Sequence, residues 1–148
     1  MSKKAELEAA LKDAMRTQDT LRKNTMRVAL TAIKEAEVMK RGELDDAAVI
    51  GILQKELKSR QEALAEAEQA NRADLVENAK AEMKIIEGFL PTAMSQAELE
   101  AIVASAISET GAKSPADMGK VMKEVLSKVQ GRADGSQVSQ LVRAKLQG

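Results

Sequence analysis

Residues 46–91 read DAAVIGILQKELKSRQEALAEAEQANRADLVENAKAEMKIIEGFLP. Val49, Ile52, Leu53, Leu57 and Leu64 recur at steps of three, four or seven, the repeat of one face of an α-helix. After the turn signal Ala70-Asn71-Arg72-Ala73-Asp74, the residues Leu75, Ala79, Met83, Ile86 and Leu90 take up the same period. Asn71 suits the turn because its short polar side chain tolerates a left-handed backbone. Asp45 and Asp46 favour the start of the first helix, as caps and through the helix dipole. Pro91 closes the second helix. Two long helices joined by so short a loop make an antiparallel αα-hairpin. Past Leu64 the apolar face fades into Ala-Glu-Ala-Glu-Gln, so the far end of the hairpin is expected to project beyond the core.

Upstream, the spacing predicts a helix from Lys3 to Arg16 that buries Leu7, Leu11, Ala14 and Met15. A polar break at residues 17–20 offers Thr17 or Asp19 as a cap. A second helix over residues 20–40 places Leu21, Thr25, Val28, Ala32 and Ile33 on one stripe, with Gly42 as its left-handed stop. Downstream of Pro91, Ser95-Gln96-Ala97-Glu98 has the form of a capping box before Leu99, Ile102, Val103, Ala106 and Ile107, and Gly111 is the stop. Ser114-Pro115-Ala116-Asp117 starts a helix carrying Met118, Val121, Met122, Val125 and Val129. Asp134 or Ser136 caps a last one carrying Val138, Leu141, Val142 and Leu146. The expected fold is all-α, with an N-terminal antiparallel helical bundle over residues 1–91 and a small C-terminal three-helix domain over residues 95–148.

Composition excludes more than it suggests. The 148-residue chain has no Cys, His, Trp or Tyr, and Phe89 is its single aromatic residue. Thiol chemistry, disulfides and thiolate metal sites are therefore ruled out, and the best proton shuttle at neutral pH is missing. Base-stacking surfaces that need several aromatics cannot be built. The many carboxylates carry no Ca²⁺-loop pattern, and no Walker or dinucleotide-binding spacing occurs. The reading is no catalytic residue, no metal and no cofactor. The eight methionines, among them Met15, Met83, Met118 and Met122, read as core filler. No apolar run reaches membrane-spanning length, no apolar signal segment follows Lys3-Lys4, and a cytoplasmic location is expected.

Formal charge sums to zero but is unevenly placed. Residues 1–41 hold ten bases against six acids, residues 42–91 six against eleven, and residues 113–148 seven against three. Lys120, Lys123 and Lys128 fall within roughly 140° of helical arc, away from the Val121–Val125–Val129 stripe. Lys113, Arg132, Arg143 and Lys145 join them if the last three helices pack compactly. Basic side chains without aromatics contact phosphates or read shape. A plain solubilising face accounts for the same charges. Gly131-Arg132-Ala133-Asp134-Gly135 reads as a structural inter-helix turn, with an Arg132–Asp134 ion pair as its other reading.

Met118-Gly119-Lys120-Val121-Met122 and Lys128-Val129-Gln130-Gly131-Arg132-Ala133-Asp134-Gly135 resemble the signature of the GatB/YqeY family. Lys55-Glu56-Leu57-Lys58-Ser59-Arg60, Arg72-Ala73-Asp74-Leu75 and Phe89-Leu90-Pro91 look like its other landmarks, and the resemblance covers essentially the whole chain. Three positions depart from the pattern: Ala67 stands where an aromatic is expected, Asn71 where glycine is, and Phe89 where tyrosine is common. Ala67 puts a packing role at the hairpin's far end in doubt.

The resemblance implies a free-standing relative of the helical and tail regions of the B subunit of the tRNA-dependent amidotransferase. That enzyme amidates misacylated Glu-tRNA or Asp-tRNA with ammonia from glutamine, and the tail engages tRNA while other domains perform the chemistry. The expected function is a non-catalytic accessory module that binds tRNA or a tRNA-charging or amidating enzyme. RNA contacts fall on Lys120, Lys123, Lys128, Arg132 and Arg143. Gly119, Gly131, Asp134, Gly135 and Pro91 are structural positions, and neither DNA nor membrane is an expected partner. The alternatives are a protein-interaction module, resting on the charged hairpin end, and a component of a carbon–nitrogen ligase with glutamine as amido donor.

Overall fold

The computed structural model describes residues 1–147, which form seven α-helices and one short 3₁₀ turn, with no strand among them. Contacts divide the chain into two compact units that meet in sequence between Leu90 and Pro91.

The first unit contains α1 (Lys3–Arg16), α2 (Thr20–Lys40), α3 (Asp46–Gln69) and α4 (Ala73–Glu87). Each start follows from local chemistry. The Ser2 hydroxyl accepts the Ala5 amide, Asp19 accepts that of Arg22 and Asp45 that of Ala48, so orphan donors at three helix starts are met by side chains. Asp46 goes further: its carboxylate accepts the Lys3 amide at 2.9 Å and ties the start of α3 to the start of α1. Asn71 takes the left-handed backbone expected of it, with φ 54°. At the end of α2 the left-handed residue is Arg41 (φ 60°), where Gly42 was expected. The Gly42 amide reaches back to the Glu37 carbonyl at 3.1 Å, a closure that requires the left-handed turn one residue earlier.

Leu7, Ala10, Met26, Ala29, Ile33, Val49, Leu53 and Ile86 form the core of this unit. The α1 and α2 stripes are rotated from the expected ones: Met15 is 52% and Val28 45% exposed, while Ala10, Met26 and Ala29 are buried. Thr25 is buried as expected, and its hydroxyl donates to the Leu21 carbonyl at 2.8 Å, which removes the cost of burying it. Leu90 lies past the end of α4 in a turn and packs with Phe89 against the core.

Midway along the hairpin, Arg60 of α3 pairs with Glu56 on its own helix and with Glu82 of α4, and Asn78 holds the other Glu82 oxygen at 3.0 Å. Beyond this clamp the hairpin projects past the core cluster as expected, with Ala67 and Ala79 buried between its two helices. Ala67 has a packing role: its small side chain sits 4% exposed where a larger one was expected.

The second unit contains α5 (Gln96–Thr110), the 3₁₀ turn Pro115–Asp117, α6 (Met118–Val129) and α7 (Gly135–Gln147). Val121, Val125 and Val129 interlock with Leu99, Val103 and Ala106 of α5 and with Val138, Val142 and Leu146 of α7. The capping box is complete, with Glu98 amide to Ser95 hydroxyl at 3.1 Å and Ser95 amide to Glu98 carboxylate at 2.9 Å. Gly111 is left-handed as expected (φ 69°), and so are the consecutive Gln130 and Gly131 (φ 48° and 81°) that reverse the chain after α6.

Candidate nucleic-acid interface

On α6 the three buried valines fix which way the lysines point. Lys120 and Lys123 lie on the opposite, exposed face, and among the described residues neither is in an ion pair. Arg143 is exposed on α7, also without an ion pair among the described residues. Lys145, two residues on, is turned roughly 160° from Arg143 around that helix.

The other two predicted contacts are engaged within the unit. Lys128 donates to Glu109 of α5 at 2.9 Å and lies 3.7 Å from Glu124, so it bridges two helices. Its ammonium is held above its ordinary pKa chiefly by the Glu109 hydrogen bond, and Glu109 is lowered in turn. Arg132 donates from Nε to the Thr92 carbonyl at 2.9 Å and lies 3.7 Å from Glu98. The Arg132 carbonyl accepts the Met94 amide at 2.8 Å, so side chain and backbone together hold the segment that leads into α5. Residues 91–94 therefore belong with the second unit.

Asp134 does not pair with Arg132. Its backbone carbonyl accepts the Val138 amide at 3.0 Å and its carboxylate accepts that of Ser136 at 3.4 Å, so it starts α7. Asp117 is held low by the Lys113 amide, 3.0 Å from its carboxylate, with Lys120 adding a weaker favourable field. The face left for an anionic partner is thus Lys120 and Lys123 on α6, with Arg143 separately on α7. Among the described residues no group of three or more acidic residues could hold a metal ion.

These pairings fix a pH response. Glu98 is lowered, first by the Ser95 amide and then by the Arg132 charge; Glu109 and Asp117 are lowered too. Groups with depressed folded values stabilise above their unfolded pKa, near 4 for carboxylates, and that support is lost as pH falls through the folded values. Lys128, raised, contributes fully below its ordinary 10.5 and is lost as pH rises through the higher folded value. The second unit should hold a plateau between about pH 5 and pH 10 and weaken on either side. Thermal unfolding followed by circular dichroism across pH tests this. Glu98→Gln, which retains a capping acceptor, should flatten the acid limb; an unchanged acid limb would count against the assignment.

Comparison with known proteins places the chain. Residues 4–146 match the family model described as Yqey-like protein. A protein of Pyrenophora tritici-repentis is 33% identical over 143 residues, 93% of this chain and 77% of the relative. A protein of Lachancea thermotolerans is 35% identical over 133 residues, 87% and 69% of the respective chains. Both are named "Altered inheritance of mitochondria protein 41, mitochondrial", as is a Kluyveromyces lactis protein 33% identical over 129 residues, 84% of this chain and 68% of the relative. These names overturn the expectation of a cytoplasmic location, which rested on the lack of an apolar leader or span and of cysteine. The chain belongs to the YqeY-like family.

Proposed function

We propose that this YqeY-like chain is a non-catalytic accessory module that holds folded tRNA against the exposed basic face of its second unit. A tRNA-charging or amidating enzyme that performs the chemistry is the natural partner. One observation carries the reading: Lys120 and Lys123 stand on the outer face of α6 with neither in an ion pair among the described residues, while nearby Lys128 is spent on Glu109. Unpaired cations on a rigid helix are what a phosphate backbone selects. The choice of tRNA rests on the resemblance of the α6–α7 motif to the tail of the amidotransferase B subunit. A mitochondrial setting is the one the relatives' names support.

The absence of Cys and His supports the non-catalytic part, because a glutaminase needs an activated nucleophile and a base. A second reading, a protein-interaction role for the hairpin, is favoured by Leu75, which is 47% exposed near the turn of an acid-rich pair of helices.

The test is binding of folded tRNA across a salt series. Neutralising about two to three phosphates gives a log–log slope of roughly −2 to −3 and micromolar or weaker affinity at physiological salt. The double substitution Lys120→Gln with Lys123→Gln should weaken binding about tenfold or more at low salt and flatten the slope by nearly two. Circular dichroism should not change. Binding that ignores salt, or that survives both substitutions, defeats the reading and moves weight to the hairpin.

A further inference from the structure

Lys23 is held as no other lysine of the described residues is. Elsewhere among those residues a half-buried cation has an acid partner: Lys3 pairs with Glu6, Lys4 with Glu37, Arg60 with Glu56 and Glu82, and Arg132 with Glu98. The exceptions are two neighbours near the start of α2. Arg22 lies over the Phe89 ring, 5.8 Å from its centroid. The Lys23 side chain is half-buried with neither an ion pair nor a hydrogen bond among the described residues. A partly dry ammonium without a counter-charge is unfavourable. Arg27, one turn on, adds a like charge at a spacing that destabilises a helix. Nothing in the fold compensates for this pair.

Both cations border the same space. The end of α1, the connection after it and the start of α2 enclose a surface hollow of about 420 Å³, lined by Ala14, Met15, Gln18, Thr20, Lys23 and Arg27. Thr20, Lys23 and Arg27 stand on one face of α2, at steps of three and four. No acid lines the hollow. The nearby carboxylates of Asp13 and Asp19 are engaged, the first by Arg16 at 2.7 Å and the second by the Arg22 amide at 3.1 Å. The Thr20 hydroxyl and the Gln18 side-chain amide have no partner among the described residues. The hollow thus offers two positive charges and two neutral donors, with Met15 and the buried Ala14 as an apolar wall. We propose that it binds a small phosphate monoester of sugar-phosphate size. Such a group carries nearly two negative charges and three acceptor oxygens, which matches Lys23 and Arg27 together. A single carboxylate would leave one of them without a counter-charge. The planar fork of Arg27 suits two phosphate oxygens, and Lys23 supplies a point charge. The space is larger than phosphate alone fills and leaves room against Met15 for a body of a few carbons. No aromatic lines it, so a nucleotide base would gain no stacking there. The site lies in the first unit and is independent of the tRNA reading, which concerns the second.

The test is calorimetric titration of the full chain with glucose 6-phosphate, inorganic phosphate and glucose at constant ionic strength. Glucose 6-phosphate should bind one to one with a Kd of about 1 mM or tighter, and inorganic phosphate about fivefold more weakly. Glucose should not bind detectably. Lys23→Gln with Arg27→Gln should weaken glucose 6-phosphate binding about tenfold or more. The Tm of this variant without ligand should equal or exceed that of wild type, because a repelling pair is gone. Lys80→Gln with Lys84→Gln is the control. It removes two exposed lysines at the same spacing on α4 and should bind as wild type does. Should the first double variant prove less stable, Arg27→Gln alone, at an exposed position, carries the test with a loss of about fivefold. The proposal fails if wild type does not bind glucose 6-phosphate or if binding survives loss of both cations. It fails equally if the control loses as much, since net charge would then be the cause. Inorganic phosphate binding as tightly as glucose 6-phosphate also overturns it, because the hollow would then hold an adventitious ion only.

Discussion

Leu53→Ala is expected to destabilise the first unit by about 3 kcal/mol, within the range of buried leucine truncations. Leu53 is fully buried in the cluster that joins α1, α2, α3 and α4. Its neighbours Val49, Ile33 and Met26 are also fully buried and sit on helices held at both ends by caps and turns. Such helices relax only partly around a void, so the lost transfer energy and the cavity term add. The effect should be confined to one unit. Urea unfolding followed by amide resonances of the full chain should show the α1–α4 signals shifting to lower midpoint while those of α5–α7 stay. A common shift in both sets would mean the units unfold together, and a loss under about 1 kcal/mol would mean that the core collapses freely around the gap.

The helix starts were legible because capping is local chemistry. Asp19, Asp45 and the Ser95–Glu98 box act within three residues of themselves, and a sequence displays such spacings directly. The faces of α1 and α2 were less legible. Both helices are rich in alanine and carry apolar residues around much of the circumference, so several stripes fit the period. Which stripe is buried depends on where α3 and α4 come to lie, and that information is not in the helix itself. Met15 and Met26 are equally apolar; tertiary packing exposes one and buries the other.

The candidate interface shows the same division. Lys120 and Lys123 were readable from their position relative to the valine stripe, which α6 preserves. Lys128 and Arg132 looked equivalent to them, but their partners are 19 and 34 residues away, on and at the start of α5. No local spacing announces a pair that forms only when helices dock.

The same long-range logic gives the hairpin clamp its expected weight. Arg60 is 14% exposed at its side chain and bridges two carboxylates, Glu56 and Glu82, that are themselves 19% and 23% exposed. Removing only the guanidinium leaves two like charges facing each other in a partly dry seam. Arg60→Met is therefore expected to destabilise the first unit by about 2 kcal/mol, less than a fully buried broken pair costs because some water reaches the site. Changing Glu82 to Met as well removes one stranded charge and supplies apolar contact across the α3–α4 seam. The double variant should recover about half of the loss or more, as buried ion pairs are often replaceable by well-packed apolar groups. Urea midpoints of wild type, both single variants and the double variant form the cycle that measures this. Additive losses in the double variant would show that Arg60 and Glu82 act independently and that the clamp contributes nothing as a pair. Because the clamp lies between the core cluster and the hairpin's far end, amide exchange in residues 61–78 should quicken in Arg60→Met before exchange around Leu53 does.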